Sequence, residues 1–273
     1  MGIDRYAVIG HHIGYSRSPR IHTLFARQTG QAMSYGLIDA APERFTQSAG
    51  EFFSGGGRGL NVTVPHKQAA LGLAGTLSAR ARRAAAVNTL AMGSDGTLLG
   101  DNTDGAGLLR DLTVNLGVTL RGARILLLGA GGAARGVLAP LLESQPATLV
   151  IHNRTARRAQ DLAAEFSGLG PVHSGNADGE GFDLILNATS ASSQGELPEL
   201  PAQALSADTL CYDLAYGDAP TAFVRWAQAQ GARRALMGLG MLVEQAAESF
   251  LLWRGVRPDT APVLALLREA GAT

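Results

Sequence analysis

The chain has 273 residues, is 46% hydrophobic, and balances 23 Lys and Arg against 23 Asp and Glu, which excludes a disordered tail and a basic nucleic-acid or membrane-surface binder. Its single cysteine cannot build a disulfide framework or a thiolate metal site, and no apolar run reaches membrane-spanning length. The expectation is a cytoplasmic protein of two domains without a signal peptide, a monomer or homodimer whose partner is a small molecule rather than nucleic acid or membrane.

Tyr6-Ala7-Val8-Ile9 reads as a strand. Ser18-Pro19 then caps a predicted helix in which Ile21, Leu24 and Phe25 share a face and Gly30 marks the end. A second helix carries Phe45, Ala49, Phe52 and Phe53 before Gly55-Gly56-Gly57. Leu60-Asn61-Val62-Thr63-Val64 alternates as a half-buried strand, and Pro65 stops it just before His66-Lys67. Val87–Leu90 and Thr97–Gly100 flank Ser94-Asp95-Gly96 as a hairpin. The Asp101-Asn102-Thr103-Asp104-Gly105 cluster precedes a helix with Leu108, Leu109 and Leu112, which carries the chain out of this first open α/β domain.

Arg124-Ile125-Leu126-Leu127-Leu128 is a buried strand closed by Gly129-Ala130-Gly131-Gly132-Ala133-Ala134, and the helix that follows has apolar Val137, Leu138, Leu141 and Leu142. Gly129 allows the tight turn, Gly131 lets backbone N–H groups approach a pyrophosphate, and Ala134 lets helix and strand pack closely. The next strand, Thr148–His152, ends at Asn153-Arg154-Thr155, where a NAD-binding unit places an acidic residue. With Arg154, Arg157 and Arg158 there instead, the expected cofactor is NADP, its extra phosphate paired with guanidinium groups. Strands and helices alternate on to Leu236 through Leu184–Asn187 and Leu210–Asp213, with Cys211 as a core thiol. Gly238-Leu239-Gly240 opens an amphipathic helix with Leu242, Ala246, Phe250 and Trp253, and a last helix follows Pro258.

Ser16, Ser18, Asn61, Thr63, Lys67, Asn88 and Asp104 fall near strand ends or helix starts, where open α/β sheets bind ligands. Each has a plainer reading: Ser18 and Asp104 as helix caps, Asn61 and Thr63 as the face of an edge strand. A lysine beside a carboxylate is the pair that suits proton transfer at a hydroxyl. His66 is a bystander, and no histidine pair has metal-ligand spacing.

At Ser16-Arg17-Ser18-Pro19, Asn61 through Lys67, Ala86–Thr89, Asn102–Gly105, Gly129–Ala133, Asn153-Arg154-Thr155, Asn187–Ser190, Tyr212–Leu214 and Gly238–Leu242 to Ala247, the chain resembles the shikimate dehydrogenase family along essentially its whole length. The resemblance implies reversible NADPH-dependent reduction of 3-dehydroshikimate to shikimate, with Lys67 and Asp104 as the catalytic pair. It implies that Ser16, Ser18 and Tyr216 hold the substrate carboxylate, and that Thr63, Asn88 and Gln245 hold ring hydroxyls. Cofactor contacts are implied at Gly129, Ala130, Gly131, Gly132, Ala133, Asn153, Arg154, Thr155, Arg158, Thr189, Leu214, Gly238 and Met241, and no metal is implied. The fold it implies is an N-terminal open α/β substrate domain at 1–104 and a doubly wound Rossmann NADP domain at 105–239. Residues 240–273 then pack back on the first domain. A dual quinate/shikimate enzyme and a non-catalytic NADP-binding regulator of the same fold stand as alternatives. Tyr15, His66 and Met237 depart from the common family pattern, where histidine, phenylalanine and aspartate are usual.

Overall fold

Two separate apolar strand sets organise the chain, each with its own core. The computed structural model describes residues 2–175, 181–200 and 204–269. It divides into one unit of Met1–Gly107 with Leu242–Thr273 and a second of Leu108–Met241.

In the first unit, β1 (Asp4–Gly10) is buried from Tyr6 onward. It leads through α1 (Ser18–Thr29) to β2 (Met33–Asp39) and through α2 (Phe45–Ser54) to β3 (Gly57–Val62). Both pair parallel with β1, one on each side. Then come β4 (Thr76–Leu77), α3 (Ala79–Ala84), β5 (Thr89–Met92) and β6 (Leu98–Asp101). Among the described residues the sheet has six strands in the order β2-β1-β3-β5-β6-β4. The expected hairpin is present as antiparallel β5 and β6, with Gly96 at φ +82° in its turn.

Two expectations change here. The strand leading to Lys67 starts at Gly57 rather than Leu60, and it is buried except at Arg58 rather than half-buried. β3 lies between β1 and β5 and is therefore not an edge strand, and the C-terminal residues cover Asn61, which is 6% exposed and donates to Ser249 Oγ at 2.9 Å. The early start uses glycine for space, since a Cβ on Gly59 would stand 2.4 Å from the Trp253 indole nitrogen. Ser18 also makes no side-chain cap on α1; it is the first helical residue, and its N–H donates to Ser16 Oγ at 3.3 Å.

The chain leaves this unit within α4 (Asp104–Arg110), which passes into a π-helical turn at Asp111–Asn115. The second unit runs β7 (Arg124–Leu128), α5 (Gly132–Glu143), β8 (Thr148–His152), α6 (Ala156–Phe166), β9 (Val172–Ser174), β10 (Leu184–Asn187), β11 (Leu210–Asp213), α7 (Ala222–Ala229) and β12 (Arg234–Met237). All pairings in its sheet are parallel, in the order β12-β11-β10-β7-β8-β9. Two halves therefore wind outward from β7 and β10, and the switch point between those strands is where such sheets bind ligands. Ile125, Leu127, Val137, Leu141, Ile151 and Phe166 are buried in this core. Cys211 is fully buried on the other face, and burial pushes its thiol up to about 12, as a structural thiol requires.

The chain returns within α8 (Leu239–Arg254) and ends with α9 (Thr260–Glu269). From Leu242 onward both helices belong to the first unit, where Phe250 meets the Phe25 ring edge-on at 5.8 Å. No helix among the described residues is long and apolar enough to cross a membrane.

Candidate active site

Lys67 reaches its position through the turn that ends β3. His66 N–H donates to Thr63 O at 2.9 Å, and Val87 N–H donates to Lys67 O at 2.8 Å, so the backbone on each side is fixed. His66 is the bystander expected: its ring is 1% exposed, stacks on Phe45 at 4.5 Å and bonds the Ala40 carbonyl at 2.8 Å.

Asp104 opens α4, but its carboxylate is not spent on capping. Asn102 Oδ1 accepts the Asp104 N–H at 3.1 Å, which leaves both carboxylate oxygens for other partners. Lys67 Nζ donates to Asp104 Oδ2 at 2.5 Å, with the two side chains 14% and 5% exposed. Asn88 Nδ2 donates to Asp104 Oδ1 at 2.9 Å.

The Asn88 amide has a defined direction. Its Oδ1 accepts the Thr103 backbone N–H at 2.8 Å, and a backbone N–H can only donate, so Nδ2 must be the atom on Asp104. Gln245 on α8 stands beside this set, its Oε1 3.4 Å from both Asn88 Nδ2 and Thr103 Oγ1. Gly107 on α4 makes this approach possible, since a Cβ there would stand 2.6 Å from Gln245 Cβ. The fold thus joins Lys67, Asn88, Asp104 and Gln245 in one polar group held by four separate elements of the sequence.

Thr63 follows β3 and is half-buried, with its N–H on Ile9 O at 3.0 Å. Ser16 and Ser18 sit together at the start of α1, joined by the Ser18 N–H to Ser16 Oγ contact, with Ser18 5% exposed. Tyr216 is half-buried in the segment after β11, in the second unit.

In the second unit the glycine loop joins β7 to α5 as expected. Gly129 has φ +104°, and a Cβ there would crowd the Ala188 carbonyl at 3.1 Å. Gly131 differs: its backbone is extended, it precedes α5 with no side chain capping the helix, and nothing among the described residues lies within 4 Å of an added Cβ. The start of α5 thus has no side-chain cap and open room beside Gly131, which suits a pyrophosphate approaching the backbone at Ala130, Gly132 and Ala133.

Arg154 and Arg158 are exposed and make no ion pair or side-chain hydrogen bond among the described residues, whereas Arg157 pairs with Asp161 at 2.9 Å. Thr155 precedes α6 with no side-chain cap, and Asn153 Nδ2 donates to Thr155 O at 3.0 Å. Thr189 follows β10, its hydroxyl donating to Asn187 Oδ1 at 2.8 Å. Leu214 follows β11, Gly238 follows β12 with its N–H on Ala215 O at 2.9 Å, and Met241 is 7% exposed on α8. Gly129, Thr189, Leu214 and Gly238 accordingly lie just past the carboxyl ends of four parallel strands, the edge at which this sheet type takes a dinucleotide. The residues present fit NADP.

Sequence reasoning missed part of the polar group. Thr89, Thr103 and Ser249 are fully buried hydroxyls within it, and Asn61 joins them through Nδ2 to Ser249 Oγ at 2.9 Å. Helical spacing carries a signal for one of these, because Ser249 lies four residues after Gln245 on the same face of α8.

The chain matches the family model described as shikimate dehydrogenase substrate binding domain over residues 8–90. It matches shikimate / quinate 5-dehydrogenase over 112–215 and shikimate 5'-dehydrogenase C-terminal domain over 238–268. It is 58% identical over 273 residues to shikimate dehydrogenase (NADP(+)) of Methylococcus capsulatus, covering 99% of this chain and 98% of that protein. Among solved structures it resembles an Ael1 enzyme from Pseudomonas putida, with TM-score 0.87, 48% identity, and 97% of this chain and 98% of that one covered. It also resembles shikimate 5-dehydrogenase of Thermus thermophilus in complex with NADP(H) and shikimate. There the TM-score is 0.85 at 34% identity, with 98% of this chain and 100% of that one covered.

Proposed function

The chain belongs to the shikimate dehydrogenase family, and on that premise we propose that Lys67 and Asp104 are the catalytic pair of this enzyme. It is an NADP-dependent oxidoreductase that reversibly reduces 3-dehydroshikimate to shikimate, a step of aromatic amino acid biosynthesis. The observation that carries the site assignment is the 2.5 Å Lys67 to Asp104 contact inside a polar group that also holds Asn88 and Gln245.

When bound, NADPH supplies the hydride. Gly129, Ala130, Gly131, Gly132 and Ala133 would hold its pyrophosphate at the start of α5, and Asn153, Arg154, Thr155 and Arg158 its ribose phosphate. Thr189, Leu214, Gly238 and Met241 would line its remaining length at the strand ends. Lys67 Nζ donates to the ketone oxygen of the substrate and supplies the proton as that oxygen becomes a hydroxyl. Asp104 holds the lysine ammonium in place and orients a neighbouring hydroxyl, while the Asn88 donor fixes the direction of the carboxylate. Thr63, Asn88 and Gln245 bind ring hydroxyls, and Ser16, Ser18 and Tyr216 the substrate carboxylate. We place the substrate domain at 1–104 with 240–273 and the NADP domain at 105–239; the two separate cores support a two-part division, with Met241 in the core of the second part. The enzyme works in the cytoplasm as a monomer or homodimer.

The test is a spectrophotometric assay of the purified protein with shikimate or quinate, each with NADP or NAD, repeated for Lys67→Ala. Shikimate with NADP should be the best pair, and Lys67→Ala should lose about 10²–10⁴-fold in turnover. Turnover of the folded variant near that of the parent would remove Lys67 from the mechanism.

A further inference from the structure

Behind Asn88 and Gln245 lies a second layer of polar groups with no contact to a ligand in the reading above. Ser249 is its hub. The Ser249 hydroxyl is fully buried on α8 and lies 2.8 Å from Thr89 Oγ1, 3.3 Å from Thr103 Oγ1 and 3.1 Å from Gln245 O. Asn61 Nδ2 donates to it at 2.9 Å. Thr89 Oγ1 in turn donates to Asn88 Oδ1 at 2.9 Å, and Thr103 Oγ1 reaches both Asn88 Oδ1 and Gln245 Oε1.

The proton count in this layer is constrained. Asn61 Nδ2 also faces the Asn88 carbonyl at 3.4 Å, which only accepts, so Asn61 Oδ1 must face Tyr35 and accept its hydroxyl proton at 2.7 Å. Ser249 must therefore accept from Asn61, and it has one proton of its own to give. That proton goes to Thr89 Oγ1, at 2.8 Å a nearer acceptor than Gln245 O, so Thr89 gives its own proton to Asn88 Oδ1 and Thr103 is left to donate to Asn88 or Gln245. Removing the Ser249 oxygen leaves Asn61 without its shortest acceptor and frees Thr89 and Thr103 to turn.

We propose that Ser249 is a positioning residue for the reaction, its hydroxyl holding in place, through Thr89 and Thr103, the Asn88 and Gln245 amides that meet the substrate ring. The proposal rests on the assignment of Asn88 and Gln245 as ring contacts. Ser249→Ala should raise the shikimate Michaelis constant about three- to tenfold, the worth of one net hydrogen bond, with the NADP constant unchanged and turnover changed less. Thr89→Val, which keeps side-chain volume and removes the second hydroxyl, should shift the same constant, and the double variant should be little worse than either alone. An unchanged shikimate constant in folded Ser249→Ala overturns the proposal, as does an equal rise for NADP. If Ser249→Ala fails to fold, Thr89→Val decides by the same two constants. Asn88→Ala is run in parallel: if it leaves the shikimate constant unchanged, the ring-contact assignment itself is wrong, whereas loss there with no effect in the hydroxyl variants defeats the positioning role alone.

Discussion

Arg154 and Arg158 are exposed side chains with no partner among the described residues, at the end of the second strand of a parallel sheet. An exposed arginine contributes little to folding, so its removal should read out in cofactor choice alone. Arg154→Ala should raise the NADP Michaelis constant by roughly tenfold or more and leave the NAD constant nearly unchanged, as a charge-assisted phosphate contact requires. Initial rates with both cofactors check this, and equal effects on the two would exclude a phosphate contact. His22 shows the opposite case, a titratable side chain with no exposure at all. Neither ring nitrogen finds a hydrogen-bond partner among the described residues, the ring stacks on Tyr35 at 4.1 Å, and burial pushes its pKa down from 6.5 to about 3. The unfolded chain protonates this histidine below pH 6.5 while the folded one does not until about pH 3, so between those values the unfolded state holds more protons and stability falls as pH falls. The slope amounts to about 1.4 kcal/mol per pH unit at most. Urea unfolding from pH 7 to 4 should show a flatter acid limb for His22→Phe, and parallel limbs would show that His22 is not the group responsible.

At the level of single elements, the two glycines of the β7–α5 loop serve different ends. Gly129 combines φ +104° with a crowded Cβ position, so Gly129→Ala should lower stability by about 1–2 kcal/mol, the usual penalty for a left-handed conformation. Gly131 has neither constraint: its φ is −95° and its Cβ position is open. Gly131→Ala should therefore melt at the parent temperature but bind NADP more weakly, because the added methyl occupies space reserved for the pyrophosphate. Thermal melts with and without NADP separate the two effects, and a parent-like shift on adding NADP would mean that the backbone at Gly131 is not approached. The helix α4 gives a related lesson, since the cluster Asn102-Thr103-Asp104 makes its start from side-chain and backbone bonds that leave the Asp104 carboxylate free for Lys67.

Across the whole molecule, charged groups far apart in sequence tie the C-terminal helices to the sheet of the first unit. Arg80 bonds both oxygens of Asp101, at 2.9 and 2.6 Å, and reaches Glu248 at 3.3 Å. Arg257 then joins Glu248 and Glu244, and Thr260 donates to Glu244 at 2.7 Å. The Glu244 side chain is 1% exposed, so removing Arg257 takes the guanidinium charge from a buried carboxylate that keeps its Thr260 hydrogen bond. Arg257→Ala should destabilise the protein by roughly 3 kcal/mol while leaving the NADP constant unchanged, since Glu244 and Arg257 both belong to the first unit. Denaturant titration reads the first and steady-state kinetics the second. A loss below about 1 kcal/mol would show that water reaches Glu244 and replaces the arginine.

The glycine loop after β7, the arginines after β8, the hairpin at Gly96 and the helix end at Gly30 were all legible in the sequence, because each is a local rule about backbone freedom or charge that few residues satisfy. Lys67, Asn88 and Asp104 were legible as polar residues near strand ends or helix starts, while Gln245 and the role of each came from the family motifs. Tertiary structure decided what local rules cannot reach. Burial of β3 on both faces depends on helices that pack over its sheet, with α2 against Leu60 and Val62 and α8 against Gly59 and Asn61, and an alternating pattern read in isolation assigned it one wet face. The layer of Thr89, Thr103, Ser249 and Asn61 exists only because strands, a strand-to-helix turn and a helix more than a hundred residues further on bring four short polar side chains within hydrogen-bond distance. Hydrogen bonds act over about 3 Å, so contacts between distant parts of the chain can be assigned only after the backbone has brought them together.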